Sequence, residues 1–208
     1  MQTGKTCECQ HNHAIADVTE SSCGCSCHRE PAVIITPFPH IIIEPALSED
    51  DWYGLWDSCW SALPGSVGPR KENNIPEFEF GWKPAMAKRL CGLFGVQGTP
   101  TIGWFMERHA GYSLDPHIDP PNFLVTVIHY MPEHDGMDGL GTVLYTAQHP
   151  LTHSGKGAEY WKDGCTAAVK VPFRTNLMLA FLNTPLSAHG LEPIPETRLA
   201  YQWHIVER

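Results

Sequence analysis

His117-Ile118-Asp119 places an imidazole and a carboxylate two residues apart, just ahead of a Val/Ile-rich run. Alone the pair says little: with 12 histidines and nine aspartates among 208 residues, chance supplies roughly half an H-x-D per chain. Strand geometry gives it meaning. Successive side chains on a strand alternate faces, so residues two apart project to the same side and can meet one ion. A catalytic metal needs a third ligand from a distant strand, and His189 in "SAHGLEP" is the candidate, since it follows the apolar run "NLMLAFL" and precedes "RLAYQWHIV". Two imidazoles and one carboxylate on one face of an ion leave three coordination positions open, the facial donor set that suits non-haem Fe(II).

Nine residues beyond His189 stands Arg198, the one Lys or Arg of "RLAYQWHIV". A guanidinium buried in a barrel is costly unless a carboxylate meets it, ideally through two parallel hydrogen bonds. Arg198 therefore calls for an acidic partner or an acidic ligand. Parity along the same run brings Gln202 and His204 to its face. His129, His134, His149 and His153 read as solvated loop or surface residues, and none is assigned to a metal.

These residues need a scaffold. From residue 100 onward short β-rich runs alternate with Gly, Pro, Asn and Asp breaks, over 101–106, 112–117, 122–131, 140–147, 166–172, 176–183 and 197–206. Many short strands at such spacing predict an antiparallel sandwich or barrel, here with helices packed outside it. Upstream, "AVIITPFPHIIIEPAL" (32–47) is β-branched and broken by prolines, which suits a strand pair or an edge strand leading into the domain. "SEDDWYGLWDSCWSALPG" then sets a Ser48 cap three residues before Asp51, followed by Trp52, Leu55, Trp56, Cys59 and Trp60 at helical spacing. That stripe is expected to be core. A shorter helix is expected from Pro84 to Phe94, stopped by Gly95.

Length allows one catalytic domain, expected over 31–208, with its strand core over about 100–208. A net charge of −9 without a run of Lys or Arg argues against nucleic acid and membrane partners, and for a neutral or cationic substrate. With no apolar stretch near a spanning length and no basic-then-apolar leader, the chain reads as soluble and cytoplasmic. Five of eight cysteines (Cys7, Cys9, Cys23, Cys25, Cys27) crowd residues 1–30 beside His11, His13 and His28. Without a secretory context, a flexible tail or soft-metal ligation is a better account than a disulfide framework. That cluster is the candidate for a second metal.

The segment from 111 to 206 resembles the 2-oxoglutarate-dependent Fe(II) dioxygenases, in their prolyl-hydroxylase-like branch. It shares the H-x-D, the distal His and an Arg nine residues beyond it. "TVIHYM" is similar to that branch's T-x-x-Y-Y-L strand, "GLGTVLY" to its G-G-x-L strand, and "HGLEP" to its H-x-V-x-P. The resemblance implies a double-stranded β-helix, a jelly-roll core of mainly β structure with N-terminal helices outside. It implies Fe(II) held by His117, Asp119 and His189, and 2-oxoglutarate held by Arg198 and Tyr130, with Thr126 on the same face as Tyr130. Oxygen would be consumed, succinate and CO2 released, and an unactivated C–H of a small molecule, amino acid or peptidyl residue hydroxylated, with ascorbate as candidate reductant. Related halogenases carry Gly or Ala where this chain keeps Asp119, which favours hydroxylation. The link from Pro120 to Val125 is shorter than in the family, a departure on one side of the cleft. A cupin-like metal-binding protein or isomerase without 2-oxoglutarate turnover is the alternative on a similar barrel. A binding module acting through its Cys/His tail is a third. The connections 131–139 and 146–164, with Tyr160 and Trp161 in the latter, are expected at the mouth, where loops set selectivity.

Overall fold

The computed structural model describes residues 31–61, 70–75, 80–153 and 163–207. The N-terminal Cys/His cluster, with its proposed second metal, and Tyr160 and Trp161 lie outside these residues. Among the described residues the elements run in order β1 (His40–Ile43), α1 (Glu49–Ser61), β2 (Arg70–Ile75), α2 (Lys83–Phe94), β3 (Thr99–Pro100) and β4 (Gly103–Arg108). Then follow β5 (Leu114–His117), β6 (Phe123–Tyr130), β7 (Val143–Ala147), β8 (Cys165–Lys170), β9 (Met178–Leu182), β10 (His189–Leu191) and β11 (Arg198–Val206).

The strands form two sheets. One has the order β1-β9-β6-β11-β4-β2, with β3 also paired to β11, and the other the order β5-β10-β7-β8. The two pack face to face as a jelly-roll core, as expected. The apolar layer between them draws Ile128, Tyr130, Leu179, Phe181 and Ala200 from the larger sheet and Leu144 and Leu191 from the smaller. The helices cover the outer face of the larger sheet. Parity explains how β11 serves both sides: Leu199, Tyr201, Trp203 and Ile205 pack with Trp52, Leu55, Met86 and Leu90 on the helix side, while the alternate residues turn inward.

Helix α1 starts where its cap predicts. Ser48 Oγ accepts from the Asp51 amide at 3.2 Å and donates to the Asp51 carboxylate at 2.7 Å. Trp52, Leu55 and Cys59 are buried, but Trp60 is half exposed and stacks on Trp56, so the stripe is narrower than its spacing suggested. Helix α2 ends at Gly95, whose φ of 68° is the left-handed conformation glycine tolerates. The wholly buried Lys83 fastens α2 to the sheet by donating to Thr101 O at 2.9 Å and Tyr201 Oη at 3.2 Å.

One expectation is corrected here, and two strands are added. His129 is not a surface residue: β6 is an inner strand, and its outer face lies under the helices, so His129 is fully buried and accepts from Trp203 Nε1 at 3.2 Å. Burial, and the nearby Lys83, push its pKa down to about 3. β2 was not anticipated, because "RKENNI" has low strand propensity and is admitted at a sheet edge beside β4. β10, only three residues long with a central glycine, is absent from the expected strand runs, although His189 is expected to come from a strand.

That glycine is needed. A Cβ on Gly190 would lie 2.5 Å from Leu114 O and 3.2 Å from the Asp115 carbonyl group, forcing β10 away from β5. Gly190→Ala is expected to destabilise the fold by about 1–3 kcal/mol, as overpacking does. Urea denaturation checks this, and an unchanged midpoint would show that β5 and β10 tolerate separation.

Candidate metal centre and cavity

The register of β5 and β10 sets His117 directly opposite His189. Their ring centres are 4.3 Å apart, and both side chains are buried. Each ring is oriented by a main-chain carbonyl two residues upstream: His117 Nδ1 lies 2.9 Å from Asp115 O, and His189 Nδ1 lies 3.0 Å from Ser187 O. A carbonyl only accepts, so Nδ1 carries the proton and Nε2 is the nitrogen that can face a metal. Burial, reinforced by the neighbouring His189, lowers the His117 pKa to about 4, so this ring is neutral near pH 7.

Asp119 lies two residues past the end of β5, and its Oδ2 is 3.7 Å from His189 Nε2. Ligand atoms of His117, Asp119 and His189 all fall within 4.8 Å of one another, the one such buried cluster among the described residues. Burial works against ionisation of Asp119, but the imidazoles of His189, His204 and His117 and the Thr126 hydroxyl outweigh it and hold the pKa below the ordinary carboxylate range. Two imidazoles presenting Nε2 beside an ionised carboxylate fit a divalent transition metal and suit Fe(II).

Thr126 lies on the face of β6 that its parity with Tyr130 predicts. Its hydroxyl donates to Asp119 Oδ2 and lies 3.1 Å from His204 Nδ1. Because an ionised carboxylate only accepts, the donors run one way: Gln202 Nε2 to His204 Nε2 at 3.3 Å, His204 Nδ1 to Thr126, Thr126 to Asp119. Thr126 is thus bonded to the carboxylate of the cluster. His204 stacks on Phe123 at 3.7 Å, and burial takes its pKa down to about 4, keeping the ring neutral in this chain.

Arg198 lies further along the same cavity. Its Nε donates to Leu140 O at 2.8 Å, and one terminal nitrogen lies 3.4 Å from Thr142 Oγ1. The guanidinium packs over the rings of Tyr130 (5.3 Å) and Phe173 (5.1 Å). Burial lowers its pKa, opposed by Tyr130. Tyr130 is fully buried behind it, and its hydroxyl accepts from the Thr142 amide at 3.2 Å. The cavity has a volume of about 420 Å3 and is lined by His117, Asp119 and His189 together with Arg198, Gln202 and His204. The connection 131–139 leads to Leu140 at the Arg198 end, whereas the segment after β7 packs Leu151 against Ile118 and Ala188 beside the His-Asp-His cluster.

Sequence reasoning missed Asn183. Its side-chain amide reaches Asp119 O (3.3 Å), Pro120 O (2.9 Å) and Phe123 O (2.9 Å), and its Oδ1 accepts from Ser187 Oγ at 3.2 Å. One side chain thereby ties the short Asp119–Phe123 link to the segment leading into His189. An Asn after a strand reads as a turn residue, so its spacing carried no signal.

No protein-family model matches the sequence, and no curated protein does. Solved structures do match in fold. A prolyl hydroxylase from Trichoplax adhaerens, in complex with a hypoxia inducible factor peptide, is 16% identical with a TM-score of 0.55 over 81% of this chain and 83% of that one. A Pseudomonas putida prolyl-4-hydroxylase is 14% identical with a TM-score of 0.58 over 81% and 92%. SnoN, a non-heme alpha-ketoglutarate-dependent epimerase from nogalamycin biosynthesis, is 13% identical with a TM-score of 0.60 over 81% and 78%. The chain shares the jelly-roll fold of these two prolyl hydroxylases and of the epimerase.

Thr126→Val keeps the shape and removes the hydroxyl that holds Asp119. Divalent metal affinity, measured by titration calorimetry, is expected to fall about 10- to 100-fold with the circular dichroism spectrum unchanged. An affinity equal to that of the parent protein would show that Asp119 is positioned without Thr126.

Proposed function

We propose that the protein is an Fe(II)- and 2-oxoglutarate-dependent oxygenase that hydroxylates an unactivated C–H bond of a small molecule, amino acid or peptidyl residue. Arg198 is the observation that carries this reading. It is a buried guanidinium in the wall of the cavity holding the His-Asp-His cluster, and its bonds go to a carbonyl and a hydroxyl rather than a carboxylate. A buried cation is stable with a counter-charge. A small dicarboxylate reaching from the metal to Arg198 supplies one.

His117 and His189 would hold the ion through Nε2, and Asp119 through a carboxylate oxygen. Bound Fe(II) supplies the activation of dioxygen, coupled to oxidative decarboxylation of 2-oxoglutarate to succinate and CO2, with ascorbate as external reductant. The chain's own part is positioning and shielding. Arg198 takes the far carboxylate of the cosubstrate, with the Tyr130 ring packed behind its guanidinium. Thr126 and Asn183 fix Asp119 and its link. Trp104, Phe123 and Ile128 line the cavity with apolar surface and restrict water near the reacting C–H.

A carboxylate at Asp119, rather than the small residue of halogenases, supports hydroxylation. SnoN has the same fold and is an epimerase, so product mass decides the outcome: a hydroxylated product gains one oxygen atom, and an epimer does not. A cupin-like isomerase on this barrel would be indifferent to Arg198.

The test is anaerobic reconstitution with Fe(II) and 2-oxoglutarate, admission of oxygen, and measurement of succinate. His189→Ala is expected to lose metal-dependent succinate release, and normal release would remove His189 from the ligand set. Arg198→Ala is expected to raise the 2-oxoglutarate concentration for half-maximal rate by at least about tenfold, the scale of one lost charged contact. An unchanged requirement would remove Arg198 as the anchor.

A further inference from the structure

Four residues separate Arg198 from Gln202 on β11, so the two share the cavity face with Cα atoms about 13 Å apart by strand rise. Gln202 is the direct register partner of Trp104 on β4, and both line the cavity. Beside them the His204 ring stacks on Phe123 and meets Trp104 edge-on at 5.3 Å. This aromatic part of the wall adjoins Asp119 through His204 and Thr126, whereas Arg198 bonds to Leu140 and Thr142.

A side-chain amide is nearly symmetric in shape, so on its own it can turn either its N–H groups or its oxygen to a ligand. Here the turn is blocked. An ionised Asp119 only accepts, which spends the single hydroxyl hydrogen of Thr126, so Thr126 accepts from His204 Nδ1 and His204 Nε2 accepts from Gln202 Nε2 at 3.3 Å. Reversing the amide would set Oε1 against the Nε2 lone pair. Three hydrogen bonds running one way therefore hold the Gln202 nitrogen toward His204 and its oxygen away from it. Oε1 accepts no hydrogen bond among the described residues, and Gln202 is only partly buried. The indole N–H of Trp104 likewise has no partner among them. Cross-strand neighbours in the cavity wall thus carry one oriented acceptor and one donor that the fold does not use.

We infer that Gln202 is a specificity-determining residue whose Oε1 accepts an amide N–H of the primary substrate, which makes that substrate an amide-bearing molecule. The inference rests on the oxygenase reading above, because it sets the substrate beside the residues that support the metal ligands. An oriented acceptor in a water-restricted cavity favours a ligand that brings a donor and rejects one that brings a second lone pair. An amide supplies an N–H for Oε1 and a carbonyl oxygen for the indole N–H. Its flat faces pack on aromatic rings such as Trp104 and Phe123, and it needs no counter-charge in the wall. A bare hydrocarbon would leave both groups of the wall unpaired.

The full chain, loaded with Fe(II) and 2-oxoglutarate under nitrogen, is titrated calorimetrically with the N-acetyl methylamides of the protein amino acids. Two matched ester series replace the N–H groups by oxygen in turn: N-acetyl methyl esters remove the C-terminal one, and O-acetyl 2-hydroxy acid methylamides the N-terminal one. At least one methylamide is expected to bind about tenfold or more tightly than one of its two esters. Gln202→Met keeps the reach of the side chain without the oxygen and should bring that ratio to within about twofold of unity. The ratio is taken within each protein, so it does not depend on how far the variant loosens the metal through His204 and Thr126. A purely structural Gln202 would weaken amide and ester alike and leave the ratio standing. Gln202→Asn draws the oxygen back by one methylene and carries the same test if Gln202→Met does not fold. The inference is overturned if no methylamide binds, if each binds as its esters do, or if the preference survives in the variant. Failure of the parent protein to bind 2-oxoglutarate at all would sink the oxygenase reading and this inference together, an outcome distinct from intact cosubstrate binding without amide preference.

Discussion

The close approach of β5 to β10 is the constraint on which the rest depends. It sets His117 across from His189, although 71 residues separate them in sequence, and it leaves no room for a side chain at Gly190. Once the two rings face each other, each main-chain carbonyl below them fixes its tautomer, and Asp119 need only turn back past the strand end to close the cluster. A one-residue slip of β5 against β10 would send His117 to the other face and undo the site at a stroke.

Around that approach the chain builds a polar lattice with a consistent direction of hydrogen-bond donation. Gln202, His204 and Thr126 pass donors toward Asp119 from the larger sheet, while Asn183 holds the Asp119 link from the end of β9. Each member satisfies another, which is what makes a buried polar network tolerable. The lattice also joins the sheets functionally: the ligands sit on or beside the smaller sheet, and their supports come mainly from the larger one. Rigid strands, rather than loops, therefore set the geometry of the site.

Much of this was legible in the sequence, for reasons that differ residue by residue. The H-x-D is local, so His117 and Asp119 could be paired on sight even though Asp119 lies past the end of β5 rather than on it, and Arg198 announced itself as a guanidinium within an apolar run. Gln202 and His204 followed by parity and do line the cavity. Harder to see was anything that depends on which strands become neighbours. Thr126 faces the expected side, but only the pairing of β6 with β11 brings His204 against it and turns its hydroxyl to Asp119. His129 looked polar and exposed because nothing local reveals that helices cover its face of β6. Asn183 acts on a segment some 60 residues earlier in the chain, and β2 owes its strand to an edge beside β4 rather than to its own residues.

Arg108 belongs to the same class and shows what sequence charge conceals. In "GWFMERHAG" it sits between Glu107 and His109, an ordinary polar end to a strand. Parity sends Glu107 to the helix side and Arg108 to the cavity side, so one residue of offset puts the two charges on opposite faces of β4. The antiparallel register then stations that cation beside Arg198 rather than beside Asp119. Net charge sums over all faces of the molecule and is blind to this sorting. A cavity is read from the few side chains that parity and register turn into it.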